Sequence, residues 1–128
     1  QGKASLKKEF SRIPIPSGWE LVSDQSLPKG AFDSCLQHPD LPCPGVSYIY
    51  KLTKETNNWS TSLPDQFNNM LAAMATNGYA QAGKCLEDSC SSNKISYYIT
   101  MRKGRLVVRA SAFVDGGTPY VTVGIGKD

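Results

Sequence analysis

The residues with the most obvious chemistry are Cys35, Cys43, Cys85 and Cys90. Two short loops hold two each: Cys35 and Cys43 enclose Leu36 to Pro42, and Cys85 and Cys90 enclose Leu86 to Ser89. Zinc is one reading, because Cys35, His38 and Cys43 supply three possible ligands within nine residues, and Cys85 and Cys90 could complete a site. Neither pair has the tight two-residue spacing common in structural zinc sites, and prolines stiffen the loop of His38, the single histidine. Disulfides account better for an even cysteine count. Sequence leaves three pairings open; proximity favours Cys35 with Cys43 and Cys85 with Cys90. Each short bridge would remove roughly 2–3 kcal/mol of unfolded-chain freedom. Two bridges predict an oxidising compartment, so the chain is expected to be secreted or to be a membrane-anchored ectodomain.

Catalytic machinery is not legible. There is no nucleophile elbow, paired-histidine zinc motif or phosphate loop. The carboxylates Asp24, Asp33, Asp40, Glu87, Asp88 and Asp115 are scattered through predicted loops, where solvation explains them. Asn58-Trp59-Ser60 matches an N-glycosylation triplet, a pattern common by chance. The chain therefore reads as a non-enzyme without cofactor or metal.

The elements that position these residues follow from periodicity. Residues 4–11 suit a short helix, which Pro14 and Pro16 stop; residues 1–12 read as a basic flanking segment. Lys3, Lys7, Lys8 and Arg12 against Glu9 account for the entire formal charge of +3. A solvated terminal helix explains this cluster, and a juxtamembrane tail facing anionic lipid is the rival reading. The neutral body of residues 13–128 argues against a duplex-binding surface.

Within that single domain, Trp19 to Ser23 and Val46 to Leu52 read as strands, and residues 24–45 as a long, cysteine-stapled loop. The main helix is expected from about Leu63 to Thr76. Ser62 suits its N-cap and Pro64 its first turn. Leu63, Phe67, Met70, Leu71 and Met74 form its apolar stripe, and Asn77-Gly78 its left-handed stop. Tyr79 to Leu86, Ile95 to Arg102, Arg105 to Val114 and Tyr120 to Gly126 read as four further strands. The predicted fold is α+β. It has one antiparallel sheet of about five to six strands in the order β-β-α-β-β-β-β, with one main helix across one face.

Turn chemistry sets the expected register. A turn at Lys103-Gly104 opposes Met101 to Leu106, Ile99 to Val108, Tyr97 to Ala110 and Ile95 to Ala112. A turn at Gly116-Gly117 opposes Ala112 to Val121, Ala110 to Val123 and Val108 to Ile125. Both hairpins then place apolar residues on one face, with Ala110 and Ala112 leaving room for the helix.

The opposite face carries the candidate binding residues Tyr98, Arg109, Phe113 and Tyr120. The same register pairs Tyr98 with Arg109, Phe113 with Tyr120, Thr100 with Val107 and Ser111 with Thr122. If exposed, this aromatic and cationic patch suits a partner. The bland reading is a cation–π pair beside an ordinary cross-strand aromatic pair; another is that Ile13 and Ile15 fold over it. Arg102, Lys103 and Arg105 near the first turn resemble the edge of a single-strand nucleic-acid platform. Solvated charges that block edge pairing explain them as well.

Ile13-Pro-Ile-Pro-Ser-Gly-Trp-Glu-Leu-Val-Ser23 leads into a cysteine-bearing loop, a tyrosine-rich strand and a helix ending in Asn-Gly-Tyr79. This outline resembles small exported or membrane-anchored domains of uncharacterised bacterial proteins. The resemblance implies a location behind a signal or anchor, and no particular chemistry. The function expected is an extracytoplasmic, non-enzymatic binding or accessory domain. Its partner would be a protein or cell-envelope ligand, and an upstream anchor would place it near a membrane. The alternatives are an inhibitor or immunity-type factor that inserts a cysteine loop into an enzyme and, more weakly, a single-strand nucleic-acid binder.

Overall fold

The computed structural model describes residues 2–22, 45–52, 59–87 and 97–127. The elements run α1 (Gly2–Phe10), β1 (Trp19–Leu21), β2 (Gly45–Leu52), α2 (Trp59–Thr76), β3 (Ala80–Cys85), β4 (Tyr98–Lys103), β5 (Leu106–Asp115) and β6 (Thr118–Lys127). The six strands make one antiparallel sheet in the order β1-β2-β6-β5-β4-β3. The fold is α+β.

Side-chain alternation sorts the sheet into two faces. Trp19, Tyr50, Leu52, Ile99, Met101, Val108, Ala110, Ala112, Val121, Val123 and Ile125 share one face and are buried. Both helices cover that face. The apolar stripe of α2 buries Leu63, Phe67, Met70 and Met74, with Leu71 half-buried. The helix lies across the sheet. Phe67 meets Trp19 of β1 edge-on at 5.9 Å, while Asn68 accepts a hydrogen bond from Lys84 Nζ of β3 at 3.2 Å.

The segment read as a basic flank contributes to this core. Leu6 and Phe10, four residues apart on α1, are buried, and the Phe10 ring lies 4.5 Å from that of Tyr48 on β2. Lys7 and Lys8 stay exposed on the outer side. Ile13 is buried in the same core and Ile15 packs against it, so neither folds over the opposite face. That expectation fails because the turn after α1 keeps residues 13–17 on the helix side, where residues 14–17 run beside α2.

The start of α2 and the turn of the first hairpin differ most from the sequence reading. The helix α2 starts at Trp59, so Ser62 lies inside it and Pro64 sits in its second turn. Pro64 has no N–H to donate to the Ser60 carbonyl, so the helical ladder lacks one hydrogen bond there. The C-terminal stop is as expected. Gly78 has φ +94°, Tyr79 N–H donates to the Met74 carbonyl at 3.1 Å, and Gly78 N–H to that of Ala75 at 3.1 Å. This is a Schellman motif, sealed by the buried side chains of Tyr79 and Met74.

The second correction is the first hairpin. Lys103 pairs with Leu106, so the turn residues are Gly104 and Arg105 rather than Lys103 and Gly104. Met101 therefore faces Val108 and Ile99 faces Ala110, two places from the expected register. Sliding the turn by one residue moves each pairing by two, which preserves the faces. The reason is conformational: only Gly104 has positive φ here, at +60°, which suits the first central position of a type II′ turn. A Lys103-Gly104 turn would force a lysine into that region. The Gly116-Gly117 turn has both φ positive and gives the expected pairs, Ala112 with Val121 and Ala110 with Val123. No atom would lie within 4 Å of a Cβ at Gly104, so Gly104→Ala probes backbone strain alone. We expect it to lower unfolding free energy by about 1 kcal/mol, read from the urea midpoint.

Lys103 binds three elements together. Its ammonium lies 3.9 Å from Glu9 of α1, donates to the Asn77 carbonyl at the end of α2 at 3.4 Å, and sits 4.8 Å from the Tyr79 ring centroid. A cation at a helix C-terminus complements the helix dipole.

Burial also sets an alkaline limit. Desolvation, with Tyr48 adding a smaller effect, pushes the Tyr50 phenol up to about 12 from 10.0. Burial, then Glu9, also raises that of Tyr79. A raised phenol holds its proton more tightly in the folded state. Its contribution is complete below the unfolded value near 10 and is lost as pH rises through the folded value. Stability should therefore fall by about 2 kcal/mol between pH 10 and 12 on account of Tyr50. Urea titrations across that window, repeated on Tyr50→Phe, check this: the variant should lose less.

Candidate functional site

Antiparallel register builds the face away from the helices. In one line across the sheet, Lys51 of β2 pairs with Tyr120 of β6, which pairs with Phe113 of β5. In the next, Ile49, Thr122, Ser111 and Tyr98 follow one another. In the third, Ser47, Gly124, Arg109 and Thr100 do so. The structure thus brings all four candidate residues into one patch. Tyr98 faces Ser111, so it stands diagonally between Arg109 and Phe113, within reach for long side chains.

The two-place register shift changes who meets whom. Thr100 faces Arg109 instead of Val107, and Arg109 Nη1 donates to Thr100 Oγ1 at 3.1 Å. Tyr98 and Arg109 are diagonal rather than opposed, yet the guanidinium carbon sits 4.5 Å from the Tyr98 ring centroid. A long, planar side chain bridges the diagonal, and the ring quadrupole attracts it. Phe113 and Tyr120 are directly opposed, with centroids 5.3 Å apart and planes at 20°. The cation–π pair and the cross-strand aromatic pair are thus both present.

All four side chains are half-buried. At the far end of the face, Ser47, Val107, Gly124 and Gly126 are buried, although both helices lie on the other side. The accessible part of the patch is therefore the end with Phe113, Tyr120 and Lys51. It offers aromatic surface, the Tyr120 hydroxyl and an exposed ammonium, which suit stacking and hydrogen bonding. Arg102 and Arg105 are exposed near the first hairpin turn.

Cys85 closes β3 opposite Tyr98 and is disulfide-bonded. Cys35, Cys43, Cys90 and His38 lie outside the described residues, as do Asp24, Asp33, Asp40 and Asp88, the Asn58 of the glycosylation triplet and the 24–44 stretch of the stapled loop. Among the described residues no group of three or more His, Cys, Asp or Glu is placed to hold a metal, and no helix is long and apolar enough to cross a membrane.

Sequence reasoning missed a second concave feature. A cavity of about 430 Å³ opens on the helix side, between the Pro14–Ser17 stretch and the flank of α2. The Trp19 indole N–H donates to Gln66 Oε1 at 3.0 Å at its margin. The available signal was a buried tryptophan in need of an acceptor, with carboxamides at Gln66 and Asn69 beside the apolar stripe.

A six-stranded antiparallel sheet with two helices on one side and an aromatic patch on the other defines the architectural class. No family model matches the chain, and no curated protein or solved structure is significantly similar to it.

Proposed function

We propose that this chain is a non-catalytic binding or accessory domain that works outside the cytoplasm. In this reading the Tyr98, Arg109, Phe113 and Tyr120 face holds a protein or cell-envelope ligand. The observation that supports it is the prior ordering of that face. Arg109 is held by the Tyr98 ring and the Thr100 hydroxyl, and Phe113 stacks on Tyr120. Side chains already fixed lose little freedom when a partner arrives, and tyrosine and arginine are favoured anchors at interfaces. The disulfide at Cys85 supports an oxidising location, in keeping with the exported domains that the sequence resembles.

The test is co-sedimentation of the purified chain with washed envelopes of the cells that make it. Wild-type protein should bind saturably. The double variant Tyr98→Ala, Phe113→Ala, checked for an intact fold, should bind at least tenfold more weakly. Equal binding by the two proteins removes this face from the account.

A further inference from the structure

We propose that the cleft between the Pro14–Ser17 stretch and α2 is a separate binding site for an extended, uncharged peptide segment of a partner protein. It lies on the helix side, opposite the Tyr98 face, and does not depend on that face binding anything.

One wall is Pro14, Ile15 and Pro16, outside regular secondary structure; the other is Gln66, Asn69 and Ala73, on one flank of α2. Met70, 2% exposed, also lines it and is an adaptable apolar surface. Among the described residues no charged side chain lines the cleft. An anionic or cationic ligand would lose hydration there without gaining a counter-charge. The polar groups that the described residues bring are two carboxamides, the Ser17 hydroxyl and main-chain amides. Carboxamides carry the same donor and acceptor pair as a peptide unit.

Two observations orient these groups. An indole N–H only donates, so its bond to Gln66 fixes Oε1 toward Trp19. The Nε2 end, with two donors, is then left for a ligand; among the described residues it has no partner. Pro14 and Pro16 carry no N–H, which makes Ile15 the main-chain donor between them. Among the described residues, neither its N–H nor its C=O makes a main-chain hydrogen bond. An extended peptide laid along this wall exchanges N–H and C=O bonds with Ile15. One of its carbonyls accepts from Gln66 Nε2, and a small apolar side chain rests on Met70. Main-chain pairing for affinity, with a pocket for alternate side chains, is how extended peptides are held at strand edges. The volume of about 430 Å³ falls within the range of ligand clefts.

The experiment titrates the isotope-labelled full chain with a capped, uncharged Val-Ala-Val peptide, followed by NMR. We expect saturable shifts at the Ile15 amide and at the Gln66 and Asn69 side-chain amides, and none with acetate or methylammonium. Gln66→Glu keeps an acceptor for Trp19 but replaces the donor with a charge. It should weaken binding at least tenfold while the Trp19 indole resonance stays in place. Should that variant disturb Trp19, Ala73→Gln fills the cleft from the helix and should abolish binding. Four results overturn the proposal. The peptide could leave these residues unshifted or bind equally well to the variants; the small ions could shift them as much; or they could shift with protein concentration alone, which would make a second copy the occupant.

Discussion

Phe67→Ala is expected to lower the unfolding free energy by about 3–5 kcal/mol, the range for emptying an aromatic site in a core. The ring is fully buried and meets Trp19 edge-on at 5.9 Å. Among the described residues it is the largest fully buried side chain, and it stands where α2 reaches toward the β1 edge. Its removal leaves a void lined by side chains that β1 and α2 both need, so relaxation recovers little. Domains of this size are stable by only ~5–15 kcal/mol, so the loss would be a large fraction of the whole. Urea denaturation measures it, with Ala72→Ser on the exposed side of α2 as a control expected within about 0.5 kcal/mol. A cost below 1 kcal/mol for Phe67→Ala would mean that α2 does not pack across the sheet as described.

Opening the disulfide at Cys85 should cost about 2 kcal/mol, the value for a loop as short as Cys85 to Cys90. Cys85 ends the edge strand β3, and its neighbour across the ladder is Tyr98. An edge strand has a ladder on one side only, so a cross-link at its end restrains a part of the sheet that is otherwise easily frayed. The same cross-link fixes the strand beside the aromatic patch. Cys85→Ala should lower the urea midpoint, and wild-type protein under reductant, with both expected bridges open, should show a lower midpoint still. Mass analysis of a non-reduced digest should recover Cys85 joined to Cys90, the pairing that proximity favours. A midpoint indifferent to reductant would remove both the brace and the argument for an oxidising compartment.

Much of this fold was legible in the chain because several local rules agree. Alternation from Ile99 to Ile125, with glycine pairs at the turn, fixes which residues face the core. The alanines at positions 110 and 112 mark where the core side needs space. The end of α2 was legible because Asn77-Gly78-Tyr79 meets a specific backbone geometry. The start of α2 was not: Pro64 reads as a first-turn residue, yet helix formation extends beyond it to Trp59. The position of the first hairpin turn depended on one residue's φ. Glycine at the first central position decided it, and the dipeptide alone did not reveal that.

The contribution of α1 was also hidden. Leu6 and Phe10 are only two apolar residues, too few to announce an amphipathic helix, and the surrounding lysines dominate the pattern. What they contact becomes clear only when Tyr48 has been brought alongside by the sheet. In the same way, the four candidate residues were identifiable as one face by parity alone. Their partners were not, since the diagonal of Tyr98 and Arg109 and the bond to Thr100 follow from the corrected turn. The cleft beside Trp19 joins residues about fifty positions apart, and no local pattern encodes that meeting.

Site-specific photo-crosslinking in the cells that produce the chain interrogates the aromatic face most directly. With benzoylphenylalanine in place of Phe113, ultraviolet light should yield one discrete adduct at the cell envelope, and the same probe at Ala72 on the outer side of α2 should yield none. A bare band from position 113, or an identical adduct from both positions, would contradict a partner seated on the sheet.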